Sequence, residues 1–203
     1  VLGFNKTTVK KVTRAQSNAS VYVSSPIDFF LENEGYNSLY AYKYGGTTNG
    51  YPYVLDEKGN PSITFDANGN PVSTAIKTVT NSDALVNMGS LTPTYTGSLS
   101  QRFSYKGFDL NFLFVFSGGN VMRKETIDMS SDAVNLSGIT DRYTDTNRNY
   151  NTRLYVDFDE SMRNYASTIS SQWRNSDVNV VDGDYIKLRN ISLGYSLPKS
   201  FAN

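Results

Sequence analysis

Two long alternating stretches between Thr94 and Phe116 constrain this chain more than any other feature. Along Thr94 to Tyr105 the odd positions are Tyr95, Gly97, Leu99, Gln101, Phe103 and Tyr105, and the even positions are all Thr, Ser or Arg. Successive side chains of a strand point to opposite faces, so one face is apolar apart from Gln101 and the other is polar. Lys106-Gly107 then reads as a two-residue turn. The next strand places Phe108, Leu110, Phe112, Phe114 and Phe116 on one face, against Asp109, Asn111, Leu113, Val115 and Ser117. Alternation over about ten residues is what a membrane-crossing strand requires, with lipid on one side and a polar lumen on the other. Strands of soluble sandwiches average about half that length. Tyr95 and Tyr105 close the two ends of the stripe, as interfacial aromatic girdles do.

Composition agrees. Apolar residues are 38% of the 203, and the fifteen Tyr and eleven Phe lift aromatics to 13%. Such a chain is rich in strand formers and poor in what builds helical cores, which points to an all-β fold. The nineteen basic and nineteen acidic residues balance without a basic stripe, against nucleic-acid binding. Cysteine and histidine are both absent. That removes disulfides, thiolate and imidazole metal ligands, and every Ser-His or Cys-His catalytic pair. No apolar run approaches the roughly 18 to 20 residues of a transmembrane helix.

Along the rest of the chain, residues 1–13 read as a strand and 14–35 as Ser/Asn-rich and mostly irregular. Tyr36 to Tyr44 is strand-like. Two turn units follow ten residues apart, Asp56-Glu57-Lys58-Gly59-Asn60-Pro61 and Asp66-Ala67-Asn68-Gly69-Asn70-Pro71. The second has the alternating oxygen ligands of a calcium loop, but Pro71 and Lys77 stand where that loop needs Gly and Glu. Hairpin turns are the expectation: Asp caps, Gly takes the left-handed position, and Asn-Pro ends the pairing. Sequons at Asn5, Asn18, Asn135 and Asn190 are expected by chance in a chain this rich in Asn, Ser and Thr. Residues 119–184 lack a strand period, apart from a short helix expected around Asp159 to Trp173. Tyr185 to Leu197 returns as a strand in which Ile186 and Leu188 share one parity and Ile191, Leu193, Tyr195 and Leu197 the other, so a bulge is expected near Asn190. Val1-Leu2-Gly3-Phe4 reads as mid-strand and Phe201-Ala202-Asn203 follows a Pro, so both ends read as cut.

At these residues the chain resembles a known family. Thr94-Tyr95-Thr96-Gly97 through Phe108-Asp109-Leu110, and Asp184-Tyr185-Ile186-Lys187-Leu188-Arg189-Asn190-Ile191-Ser192-Leu193-Gly194-Tyr195-Ser196-Leu197-Pro198, are similar to C-terminal barrel strands of SusC/RagA-type TonB-dependent outer-membrane receptors. Gly35-Tyr36 through Gly45-Gly46 with the Asp-X-X-Gly-Asn turns, and Asn5-Lys6 through Val9, resemble earlier segments of that family. The resemblance implies antiparallel strands forming part of a large transmembrane β-barrel, at about 1–13, 94–105, 107–118 and 185–197. Long extracellular loops would lie at about 14–93 and 119–184, and the plug and closing strands would lie outside the 203 residues. It implies import of glycan or peptide nutrients across a Bacteroidetes-type outer membrane, beside a SusD-like surface lipoprotein and powered by a TonB-ExbB-ExbD complex. No cofactor or metal is expected. The residues expected to face lipid are Tyr95, Leu99, Phe103, Tyr105, Phe108, Leu110, Phe112, Phe114, Phe116, Ile191, Leu193 and Tyr195. Loop aromatics that could touch ligand or partner are Tyr143, Tyr150, Tyr155 and Trp173, since aromatic faces stack on sugars and anchor partners.

Two other readings compete. A soluble secreted β-sandwich that binds carbohydrate or mediates adhesion would be a monomer with a two-sheet core. A carboxylate glycosidase would use acids such as Asp157, Asp159 and Glu160 across a cleft, but acids crowded in one polar stretch read first as a solvated face.

Overall fold

In the computed structural model, which describes residues 1–13, 15–72, 76–126, 146 and 163–197, the chain runs in order through β1 (Leu2–Phe4), α1 (Ala19–Ser24), β2 (Ser38–Tyr42), β3 (Tyr44–Thr48), β4 (Tyr51–Val54), β5 (Leu85–Ser90), β6 (Tyr95–Tyr105), β7 (Phe108–Gly118), β8 (Val121–Arg123), α2 (Arg163–Arg174), β9 (Val180–Asp182) and β10 (Tyr185–Tyr195). Strands β1, β6, β7 and β10 form one antiparallel sheet in the order β1-β6-β7-β10, here called the wall. The remaining elements, built from the two long connections, pack beyond one end of the wall as a head.

The β6–β7 hairpin turns at Lys106 and Gly107, both with positive φ (47° and 88°). Two left-handed central residues match the twist of the flanking strands, which is why so short a turn holds eleven pairs in register without a slip. Ser196 N donates to Gly107 O at 2.7 Å, so β10 ends beside this turn. All three long strands therefore share a turn end and a head end.

Among the described residues the head has two small cores. Ala19, Tyr22, Val23, Tyr40, Tyr42, Val54, Val79 and Ala84 form the first, and Ile63 with Ile169 centres the second. Strand β2 pairs with β5, β3 with β4, and β8 with β9. The two Asp turns take the expected form: Asp56 Oδ1 accepts from Lys58 N and Asn60 N, and Asp66 Oδ1 from Asn68 N and Asn70 N, all within 2.7–2.9 Å. The Asn60 side chain adds a bond to the other Asp56 oxygen, and these donors hold the Asp56 carboxyl below the usual carboxylate range.

Three elements differ from the sequence reading. The wall ladder of the first strand stops at Phe4 rather than running to residue 13. Beyond Asn5 the chain turns to the head, where Tyr36 N donates to Thr7 O and Val9 N to Glu34 O, both at 2.9 Å. Within 14–35 a short helix, α1, begins at Asn18, whose side chain accepts from Ser20 N at 3.0 Å. Its Tyr22 packs edge-on against Tyr40 at 5.7 Å, and that burial outweighs the weak helix preference of its Ser and Val. The connections at 14–93 and 119–184 are, where described, substantially folded rather than open loop. The helix expected near Asp159 to Trp173 is α2.

Candidate functional site

The wall is two-faced, and its register decides which residue goes where. Directly paired residues point to the same side. Tyr105 pairs with Phe108, Phe103 with Leu110, Gln101 with Phe112, Leu99 with Phe114, and Gly97 with Phe116. On the other flank Phe108 pairs with Tyr195, Leu110 with Leu193, and Phe112 with Ile191. The twelve residues expected to face lipid thus lie on one side of one sheet. Gln101 shares that side, opposite Phe112.

The sheet adds members that alternation alone left on the wrong side. Between Leu188 and Asn190 the register shifts, with Leu188 opposite Phe114 and Asn190 opposite Leu113. Arg189 is the extra residue of a bulge, and it brings Ile186 and Leu188 onto the side of Phe116 and Phe114. Leu2 and Phe4 join through their pairing with Gly97 and Tyr95. This apolar side is open: Ile186 is 78% exposed, Leu193 71% and Phe103 55%. Gly97 is required there, because a Cβ would lie 2.3 Å from the Phe116 ring and 2.8 Å from Val1 O.

The opposite side is polar. Arg102 reaches Asp109 at 2.8 Å, Ser104 also bonds Asp109, and Asn111 donates to Ser192 at 3.4 Å. Leu113 and Val115 are its apolar members. The strands also have the right length. Eleven residues at about 3.4 Å each, tilted by about 45°, span about 25 Å, the height of the apolar band of an outer-membrane barrel. Aromatics mark both limits: Tyr105, Phe108 and Tyr195 at the turn end, with Phe108 and Tyr195 rings 4.5 Å apart, and Tyr95 at the head end. Asp184 ties that head end, accepting from Tyr95 Oη at 3.0 Å and from Gly119 N at 2.8 Å.

In the head, Arg123 is the main polar anchor. Its guanidinium donates to Val23 O at 2.6 Å, to Tyr40 O at 2.7 Å and to the Asn175 side-chain oxygen, joining α1, β2 and the end of α2. Burial pushes it down to about 10, still charged at neutral pH. Burial likewise raises the phenols of Tyr40 and Tyr42. Sequence reading missed Arg123; its acceptors lie far away in the chain, and nothing local marks it. Trp173, expected as a ligand or partner contact, is instead 7% exposed, packed into the head by α2. Tyr143, Tyr150, Tyr155, Asp157, Asp159 and Glu160 lie outside the described residues. A depression of about 860 Å³ separates the head end of the wall from the head, with Phe4, Glu34, Tyr36, Asn87 and Tyr95 among its lining. Among the described residues no cluster of His, Cys, Asp and Glu could hold a metal ion. No described helix is long and apolar enough to cross a membrane.

No family model matches the chain. A "TonB-dependent receptor P3" of Formosa agariphila is 28% identical over 210 residues, covering 94% of this chain and 19% of that protein. The structure of the RagAB peptide importer in the "closed-closed" state superposes with a TM-score of 0.58 at 19% identity, covering all of this chain and 21% of the matched one. The "open-open" state gives 0.57 at 16% identity, covering all of this chain and 20% of that one. The chain therefore spans about a fifth of the length of these relatives. Its fold is that of a stretch of TonB-dependent receptor barrel, and among the described residues the sheet does not close. These likenesses agree with the resemblance to SusC/RagA-type receptors drawn from the sequence.

Proposed function

We propose that this chain forms part of the pore wall, and an outward-facing head, of a TonB-dependent importer in a Bacteroidetes-type outer membrane. The observation that carries the proposal is the open apolar side of the wall, backed by a polar side and cut to the height of a membrane. A soluble sandwich would lay a second sheet on that side to bury it, whereas among the described residues both cores lie in the head. The short Lys106-Gly107 turn would face the periplasm and the head the exterior, because such barrels carry their long connections outside. On this reading the whole protein takes up oligosaccharides or peptides beside a SusD-like lipoprotein and draws energy from a TonB-ExbB-ExbD complex. It performs no catalysis. Tyr143, Tyr150 and Tyr155 remain the proposed ligand or partner contacts; Trp173 does not, being packed inside the head.

The test is fractionation of the full-length parent protein, followed by uptake of labelled oligosaccharides and peptides by cells with and without it. Recovery in the outer membrane, released only by detergent, together with loss of uptake of one solute class on deletion, is expected. An intact water-soluble protein would sink the proposal.

A further inference from the structure

The head is made of two connections far apart in sequence, one joining β1 to β6 and the other joining β7 to β10. Two outer segments of a pore could part to let a solute through, and their contacts decide whether these can. Backbone and side-chain bonds cross between them along a continuous seam. Tyr42 N donates to Asn175 O at 2.9 Å, with Tyr42 and Ser176 forming a parallel bridge. Tyr44 N donates to Asp177 Oδ1 at 3.0 Å, and Gln172 Nε2 to Lys77 O at 3.2 Å.

Packing follows the same seam. Ile63 of the first connection and Ile169 of the second, 1% and 2% exposed, share the second core with Tyr53, Phe65, Ile76 and Tyr165. Arg123, carried on β8 by the second connection, reaches Val23 O and Tyr40 O of the first. Separating the two would expose this core and strand a cluster of buried backbone groups, and such groups are costly to leave without partners. The first core belongs wholly to the first connection, but the second is completed only by residues of both.

We infer that the two connections are one interlocked body and that solute does not pass by parting them. The head stays closed along the Tyr42–Ser176 seam while the pore works. The inference rests on the importer reading for its second clause only; the interlock itself does not depend on transport.

Two measurements on the full-length receptor separate these clauses. The first is amide hydrogen exchange of the Ile169→Ala variant in detergent micelles. Interlock requires exchange to quicken together in both connections, on the order of tenfold at Val54, Ser62 and α2 alike, because exchange reports cooperative opening units. Faster exchange confined to α2, with β2–β5 unchanged, overturns the interlock. The second uses the absence of Cys from this chain. Ser24→Cys and Ser171→Cys, on opposite sides of the seam and lining one cleft, are joined in cells by a short bis-maleimide. Uptake by the cross-linked receptor should equal that of the unlinked double variant. Uptake that stops only on cross-linking overturns the closed seam, whereas a parent protein with no uptake at all indicts the importer reading instead.

Discussion

Replacing Arg123 with Met keeps much of the side-chain volume and removes the guanidinium, so it isolates what the charged fork does for the head. Three acceptors lose their donor: Val23 O, Tyr40 O and the Asn175 side-chain oxygen. Hydrogen bonds from a charged group contribute about 1.5–3 kcal/mol each, so the gross loss is about 6 kcal/mol. Against this stands the relief of desolvation. Burial pushes the guanidinium down to about 10, a penalty of about 3 kcal/mol on the charged form relative to a free guanidinium at 1.36 kcal/mol per pH unit. The adjoining cleft, lined by Ser24, Lys124 and Asn175, opens to solvent, and that screening cuts the penalty to about 2 kcal/mol. Nε, which has no acceptor, adds to the relief. The net expectation is a head destabilised by about 3 kcal/mol, or about a hundredfold in its opening equilibrium. Native-state hydrogen exchange on the full-length parent protein measures this directly at the amides of α1 and β2. Arg123→Lys should recover only part of the loss, since one ammonium cannot reproduce a planar fork with three acceptors. An Arg123→Met receptor whose α1 and β2 exchange as slowly as the parent's would refute the reasoning, and would mean that burying the charge costs as much as its bonds return.

Other outcomes follow from the same geometry. Phe112→Arg, mid-strand on the apolar side, should cost about 2–4 kcal/mol in urea unfolding from lipid vesicles, whereas the neighbouring Asn111→Arg on the polar side should leave the midpoint nearly unchanged. Gly119→Ala should cost at least about 1 kcal/mol in the same assay, because φ there is 72° and a Cβ would lie 2.0 Å from Thr94 Oγ1. The phenols of Tyr40 and Tyr42 are raised by burial; a group whose folded pKa is raised stabilises below its unfolded value and loses that contribution above it. Head protection should therefore be full below about pH 10 and fall above it, with the Tyr40 and Tyr42 phenols titrating late in ultraviolet titration. The Asp56 carboxyl is shifted the other way, so the 56–60 turn should hold above about pH 4 and loosen as pH falls through its lowered folded value, read as intrinsic-rate-corrected exchange at Lys58 and Asn60.

The wall was legible because its information is local. Period-two alternation assigns a side to each residue, a Lys-Gly turn fixes the register, and a parity change near Asn190 announces the bulge that the ladder places at Arg189. The two Asp turns were legible for the same reason, since each Asp bonds amides two and four residues on. The head was not, because its determinants are distant. Residues 6–9 have the propensity of a strand, but propensity does not name a partner, and theirs is 33–36 rather than the wall. The helix α1 is six residues of indifferent preference, held by Tyr22 against Tyr40 and by Ala19 N bonding Thr80 O at 2.7 Å. Trp173 in a polar stretch reads as a free aromatic until a helix turns it inward.

The unusual composition becomes intelligible once the chain is divided this way. An average apolar share of 38% with 13% aromatics suits neither a soluble core nor a membrane helix. In the wall the usual order is inverted: Phe and Leu lie on the open side, Ser, Thr, Asn and Arg on the other, and tyrosines with polar tips sit where the apolar stripe ends. In the head the order is normal, but tyrosine takes the place of leucine. Tyr22 bonds Gln16 O at 2.8 Å while its ring packs on Phe29 and Tyr40, so one side chain fills a small core and also satisfies a backbone carbonyl at its edge. Cores assembled from connections with few regular strands have many such carbonyls to satisfy. On the proposed membrane reading the tyrosine excess thus has two causes, an interface that favours amphipathic rings and a head that needs apolar bulk carrying a donor.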